Sequence, residues 1–109
     1  MNVSELIQAA GLKPITLPCP DREVNGAYIG DLLSWVMGRA SEDNAWITIM
    51  SNSNIVAVAT LADVSCIILA EGVTPDAGVA ETAGAKGVNL LSSDEGAYEI
   101  AKRLSKLGL

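Results

Sequence analysis

Two short polar runs, Ser51-Asn52-Ser53 and Glu71-Gly72, are the residues of this 109-residue chain best placed to hold a ligand. Each follows an apolar, β-like run and precedes a helical pattern, so each falls on a strand-to-helix loop. In a parallel sheet such loops share one edge, and backbone N–H groups at the starts of the following helices point there. A small anion or a polar metabolite suits that setting. Ser and Asn are equally good turn and cap formers, so the same residues also serve any parallel fold.

Covalent and acid–base chemistry has less to work with. The chain has no His, and a Ser or Cys nucleophile needs a neighbouring base. Asp63 falls at a helix end and reads as a solvated charge. Glu42/Asp43 and Asp94/Glu95 fall in loops or first helical turns, where capping and solubility account for them. Gly84-Ala85-Lys86-Gly87 places a Lys between glycines, as a phosphate loop does, but at a helix end, where outward carbonyls repel phosphate. No trio of close glycines follows the first strand, so the dinucleotide fingerprint is missing. Cys19 and Cys66 have no companions at metal spacing. These residues predict no catalytic site, no metal and no cofactor. They predict two small buried thiols in a reducing, cytoplasmic setting.

The elements that must position the polar runs are written in hydrophobic periodicity. Asn2 with Glu5 is a capping box, followed by Val3, Leu6, Ile7 and Ala10 at helical spacing and a stop at Gly11. Ile15–Cys19 is a short strand bracketed and interrupted by prolines, which places it at a sheet edge. Val24–Tyr28 is a second short extended piece. Gly30 and Asp31 open a helix whose stripe is Ile29, Leu32, Leu33, Val36 and Met37, with Trp35 off the stripe. Trp46–Met50, Cys66–Ala70 and Val88–Leu91 are strands. Ile55–Asp63 is rich in Val but follows a cap cluster, and it reads as a helix that is apolar almost all round. Thr74-Pro75 starts a helix over Asp76–Lys86. Ser92 with Glu95 is a capping box for a last helix with Ile100, Ala101 and Leu104 inward, supported by a Glu99–Arg103 pair.

Strands alternating with helices in this way predict a three-layer α/β sandwich, with a mainly parallel sheet and helices on both faces, in a single domain over residues 1–109. Half the residues are apolar, Phe is absent and the net charge is −6. Without a basic patch, nucleic acid and anionic membrane are excluded as partners. Glu5 interrupts the start of the chain, so no secretory signal is read. A helix apolar all round needs burial on two sides, and in so small a domain the second side is expected to be another copy of the chain. The expected dimer surfaces are the helix Ile55–Asp63 through Ile55, Val56, Ala59 and Thr60, the face carrying Trp35, and the loop Asn25–Ile29 with Tyr28.

From Val24 to the C-terminus the chain resembles the DRTGG domain. The resemblance rests on Gly26-Ala27-Tyr28-Ile29-Gly30-Asp31-Leu32-Leu33-Ser34-Trp35-Val36-Met37, Trp46–Met50, Asn54-Ile55, Ile67-Ile68-Leu69-Ala70-Glu71-Gly72 and Gly87–Ser93. The Asp-Arg pair of the name falls on Ser51 and Asn52. The Thr-Gly-Gly falls on Ala70, Glu71 and Gly72, of which Gly72 matches. An amide thus stands where the family has a cation, and Glu71 adds negative charge, which favours a neutral or cationic ligand, or none. The family is related to the N-terminal domain of HPr kinase/phosphorylase, which does not carry the phosphotransfer site. The resemblance implies a non-catalytic, often dimeric regulatory module that partners a metabolic enzyme. The alternative is a small-metabolite or nucleotide sensor at Ser51, Asn52, Ser53, Glu71 and Gly72.

Overall fold

The computed structural model describes residues 1–109. Five strands form one sheet in the order β1-β5-β4-β3-β2, with β1 Lys13–Thr16, β2 Gly26–Ile29, β3 Asn44–Thr48, β4 Cys66–Leu69 and β5 Asn89–Ser92. β2, β3, β4 and β5 are parallel, and β1 closes the far side antiparallel to β5. The mainly parallel three-layer α/β fold is therefore as the periodicity predicts. The helices are α1 Val3–Ala10, α2 Leu33–Arg39, α3 Asn54–Ala62, α4 Val79–Ala85 and α5 Ala97–Lys106. None is long and apolar enough to cross a membrane.

Every residue of β4 is buried, because helices cover both faces of the sheet. On one face Ala45, Ile47, Cys66, Ile68 and Leu91 pack against α1 and α5 through Leu6, Ile7, Ile100 and Leu104. On the other, Trp46, Ile67, Leu69 and Leu90 pack against α2, α3 and α4 through Val36, Ile55, Val56 and Ala83. The Val-rich middle segment is a helix. Its C-cap, Asp63, adopts φ 56° and receives no help from glycine. The capping box of α1 is present in both directions, Glu5 N–H to Asn2 at 2.8 Å and Asn2 N–H to Glu5 at 2.9 Å.

Several local expectations are corrected. α4 does not begin at Thr74-Pro75, because Gly78 at φ 86° interrupts the chain and the helix starts only at Val79. Ser92 belongs to β5, and α5 starts after Gly96 with no side-chain cap. Arg103 pairs with Glu95 rather than Glu99, which holds Lys102. Ile29 lies in β2 and Leu32 and Met37 are exposed, so the inward side of α2 is Leu33, Val36 and Ala40. The segment expected as a loop at Asn25–Ile29 is mostly strand β2.

The amino-terminal ends of the strands are tied by side chains. Asn89, which is buried, donates from Nδ2 to the carbonyls of Cys19 at 2.8 Å and Ser65 at 2.9 Å, while its Oδ1 accepts the Cys19 N–H at 2.9 Å. Arg22 donates to the Asp43 carboxylate at 3.0 Å and to the Asp63 carboxylate at 2.7 Å. Ser65 Oγ donates to the carbonyls of Glu23 and Asp43. Truncating Asn89 strands the buried Ser65 carbonyl and two part-buried groups of Cys19, and a buried group left unpaired costs about 1–3 kcal/mol. Asn89→Ala is expected to lower the free energy of urea unfolding by roughly 3 kcal/mol, and a loss below about 1 kcal/mol would show that the ties carry little of the fold.

Candidate functional site

The place where ligands bind in an open parallel sheet is where neighbouring strands send their loops to opposite faces. Here that happens once between parallel neighbours. The chain leaves β4 for α4 on one face, and leaves β5 for α5 on the other. The crevice thus lies between the carboxyl ends of β4 and β5. Glu71 at φ 63° and Gly72 at φ 70° turn the chain sharply at its mouth. Two backbone bonds zip the loops together, Glu71 N–H to the Glu95 carbonyl at 2.8 Å and Gly72 N–H to the Ser93 carbonyl at 2.9 Å.

Beside this zipper, on the α4 side, is an open cavity of about 370 Å³. β1 supplies Lys13 and Ile15, the β4–α4 loop supplies Gly72 to Pro75, and Ser92 and Asp94 come from the end of β5. Lys13 Nζ donates to Asp94 at 3.0 Å across its rim. The side-chain hydroxyls of Thr74 and Ser92 and the apolar side chains of Ile15, Val73 and Pro75 complete it. Such a rim offers one cation and one anion to a polar ligand. An exposed pair of this kind contributes only about 0–1 kcal/mol to stability, so its members can be altered without loss of the fold.

The five residues singled out in the sequence are divided by the fold. Gly72 lines the cavity. Glu71 is exposed next to it and folds over Gly96, where an added Cβ would stand 2.6 Å from its carboxylate. Ser51 touches the same loop from the side: its hydroxyl donates to Asp76 at 2.9 Å, and its carbonyl accepts the Asp76 N–H at 3.0 Å. Asn52 is spent on its own turn, accepting the Asn54 N–H at 2.9 Å. Ser53 faces elsewhere, into a separate groove of about 320 Å³ between α3 and α4 that also contains Val56, Thr60, Leu61 and Lys86. Lys13, Thr74, Ser92 and Asp94 were not visible as site residues. The polar run Ser92-Ser93-Asp94 was the available signal, and it reads more readily as a helix cap.

The residues expected at a dimer surface are also divided. Ile55, Val56 and Ala59 are buried within the chain itself, because α2 flanks α3 on one side and α4 on the other. The second side that such an apolar helix requires is therefore met by its own neighbours. Thr60 stays exposed, although its hydroxyl is turned back onto the Val56 carbonyl. Leu61 is the large apolar residue left outside on α3, 73% exposed. Tyr28 is half-buried against the α2 layer, and Trp35 is exposed with the Arg39 guanidinium 3.7 Å above its ring.

No three His, Cys, Asp or Glu side chains are grouped so that they could hold a metal ion. The two cysteines differ, and the expectation that both are buried is corrected for Cys19, which is exposed because it sits in the proline-rich crossing after β1. Burial pushes the Cys66 thiol up to about 12, against a small lowering by Arg22. Arg22 is itself held above its usual value, its desolvation being outweighed by hydrogen bonds and attraction from Asp63 and Asp43. Both groups lie at the end of the sheet opposite the crevice. At pH 8 a thiol reagent is expected to modify one cysteine per native chain, Cys19, and both after denaturation. Rapid native modification of Cys66 would contradict the packing of β4.

Comparison with known proteins places these features in context. The DRTGG domain family model matches residues 21–107. Among solved structures, the fold is similar to the CBS and DRTGG domains of the regulatory region of Clostridium perfringens pyrophosphatase, a structure complexed with its activator diadenosine tetraphosphate. The TM-score is 0.75 at 12% identity, over 94% of this chain and 45% of that one. The chain thus spans less than half the length of that relative. No curated protein matches it.

Proposed function

We propose that this chain, which belongs to the DRTGG domain family, is a non-catalytic regulatory module of metabolism that works by protein contact as a homodimer. The observation that carries this reading is the likeness of almost the whole chain to part of a pyrophosphatase regulatory region. That regulatory region holds CBS and DRTGG domains together, and a module of this kind would act through the surfaces it shares with a partner. The chain's own surface is consistent with this. Nine large apolar side chains are exposed, and five of them fall between Ile29 and Ile49, more than a monomer of this size needs to leave in water. The metabolic enzyme it serves would be the second partner, met after the dimer forms.

A second reading has an observation of its own. The cavity beside the β4–β5 crevice has the location and the size, about 370 Å³, of a small-metabolite site. With Lys13 and Asp94 at its rim, it suits a ligand carrying both charges or a neutral polar one better than a polyphosphate. A sensor of this type would still be regulatory and would differ only in what it senses.

Light scattering at micromolar protein tests the first reading. The expected mass is twice the 11.3 kDa of one chain, and the mass of a single chain would remove the homodimer. Incubation with γ-labelled ATP is expected to leave the chain and added acceptor proteins unlabelled, and transfer of phosphate would overturn the non-catalytic reading. A thermal-shift screen with nucleotides and small metabolites tests the second. A ligand at a hundred times its dissociation constant adds about 2.7 kcal/mol of stability. That gain is expected to disappear in Lys13→Ala and Asp94→Ala, and the absence of any stabilising ligand would leave contact alone as the mode of action.

A further inference from the structure

We propose that the second copy docks along the open edge of β2, continuing the sheet by antiparallel β2–β2 backbone pairing and clasping the two α2 helices in front of it. This names the surface of the dimer proposed above and rests on that reading.

The two edges of the sheet are treated differently by the sequence. β1 carries Lys13 and Pro14 and has a bulge between Pro14 and Thr16. Lysine, proline and bulges are the devices that keep an edge from pairing with another chain. β2, at the other edge, reads Gly26-Ala27-Tyr28-Ile29 and has none of them. Gly30, just after β2, gives its N–H to the Ile47 carbonyl at 3.2 Å. Because direction alternates along a parallel ladder, Gly26 and Tyr28 face β3 with Gly30, and Ala27 and Ile29 turn their N–H and C=O groups away from it. Those are the groups that an antiparallel neighbour would meet.

Apolar side chains flank that edge on both faces. Behind the sheet Ile29 is 49% exposed, opposite buried Ile47 of β3. In front, α2 crosses back from β2 to β3 with Leu33, Val36 and Ala40 inward and α3 along one side. A right-handed crossover places α3 on the Met37 side of α2. Leu32, Trp35 and Arg39 therefore overhang the edge of β2, with Leu32 58% and Trp35 53% exposed. Together the three apolar groups expose on the order of 300 Å² along this edge, Leu32 and Trp35 in front of the sheet and Ile29 behind it. Strand pairing and the helix flank supply the remainder of the roughly 800 Å² per partner of a specific pair.

Charge agrees with the same geometry. A two-fold axis perpendicular to the sheet keeps both α2 helices in front and runs them antiparallel. Arg39, in the last turn of α2, then faces Asp31 of the second copy, just before the first turn, and the contact is made twice. Asp31 uses Oδ1 to accept from Thr48 Oγ1 at 2.8 Å and from the Ile49 N–H at 3.0 Å. Its other oxygen is left for the arginine.

Dimer dissociation constants of three single variants test this, each at an exposed position. Ile29→Lys places a charge of the edge-protecting kind on β2. Trp35→Glu removes the clasp of α2. Leu61→Glu alters the groove between α3 and α4. The first two are expected to raise the constant at least 100-fold while circular dichroism and the thermal midpoint show a folded chain, and Leu61→Glu is expected to leave it unchanged. A wild-type dimer that Ile29→Lys and Trp35→Glu leave intact overturns this surface but not the homodimer. Dissociation by Leu61→Glu alone would move the interface to the α3–α4 groove. A monomeric wild-type chain overturns the homodimer and this surface together.

Discussion

The structure depends on one constraint: β4 and its neighbours are apolar on both faces, so both faces of the sheet must be covered. Cys66–Leu69 has no solvent-facing side chain, and burying large aliphatic side chains contributes about 1.5–3 kcal/mol each. Five helices meet this requirement unequally. α2, α3 and α4 cover one face, and α1 and α5 are left for the other. The chain must therefore change face between α4 and α5, which parts the loops after β4 and β5 and opens the crevice there. Two helices also do not span five strands. At β2 the rear face is only partly covered, by α5, and Ala27 and Ile29 still meet water. The candidate cavity and the open edge thus have the same cause.

The two ends of the sheet divide the work between them. At the amino-terminal ends of the strands, Asn89, Arg22 and Ser65 tie loop carbonyls to one another, and no buried side-chain polar atom lacks a partner. Such fully satisfied networks fix one arrangement, because breaking any member leaves a desolvated group behind. At the carboxyl-terminal ends the loops are held mostly by backbone bonds and left-handed turns at Glu71 and Gly72. Side-chain pairs there lie at the surface, as Lys13 with Asp94 and Ser51 with Asp76.

The fold was legible in the sequence where periodicity and punctuation agreed. α1 carried both its capping box and its terminal glycine. The solid apolar run Cys66–Ala70 fixed a central strand, and the cap cluster before Ile55 decided α3 against a strand reading. Boundaries failed where a local motif competed with tertiary geometry. Thr74-Pro75 is a sound start signal, but Gly78 breaks the chain after it. Ser92 and Glu95 have capping spacing, but Ser92 is needed as the last residue of β5. Ile29 fits the stripe of α2 and is held instead by its ladder with β3. The site was legible only in part. Glu71 and Gly72 follow a recognisable strand, whereas Lys13 and Asp94 are 81 residues apart and meet only because β1 returns antiparallel beside β5. That α3 spends Ile55, Val56 and Ala59 on its own neighbours was likewise invisible, since periodicity says that a face is buried and not by what.

Amide hydrogen exchange at Ala27 and Ile29, followed as the protein is diluted through its dissociation range, tests the central claim most directly. The account predicts slow exchange at high concentration, when these outward N–H groups are bonded to the second copy, and fast exchange on dilution, while the Asn25 amide, bonded within the chain, changes little. Fast exchange at both positions in a solution that is demonstrably dimeric would contradict it.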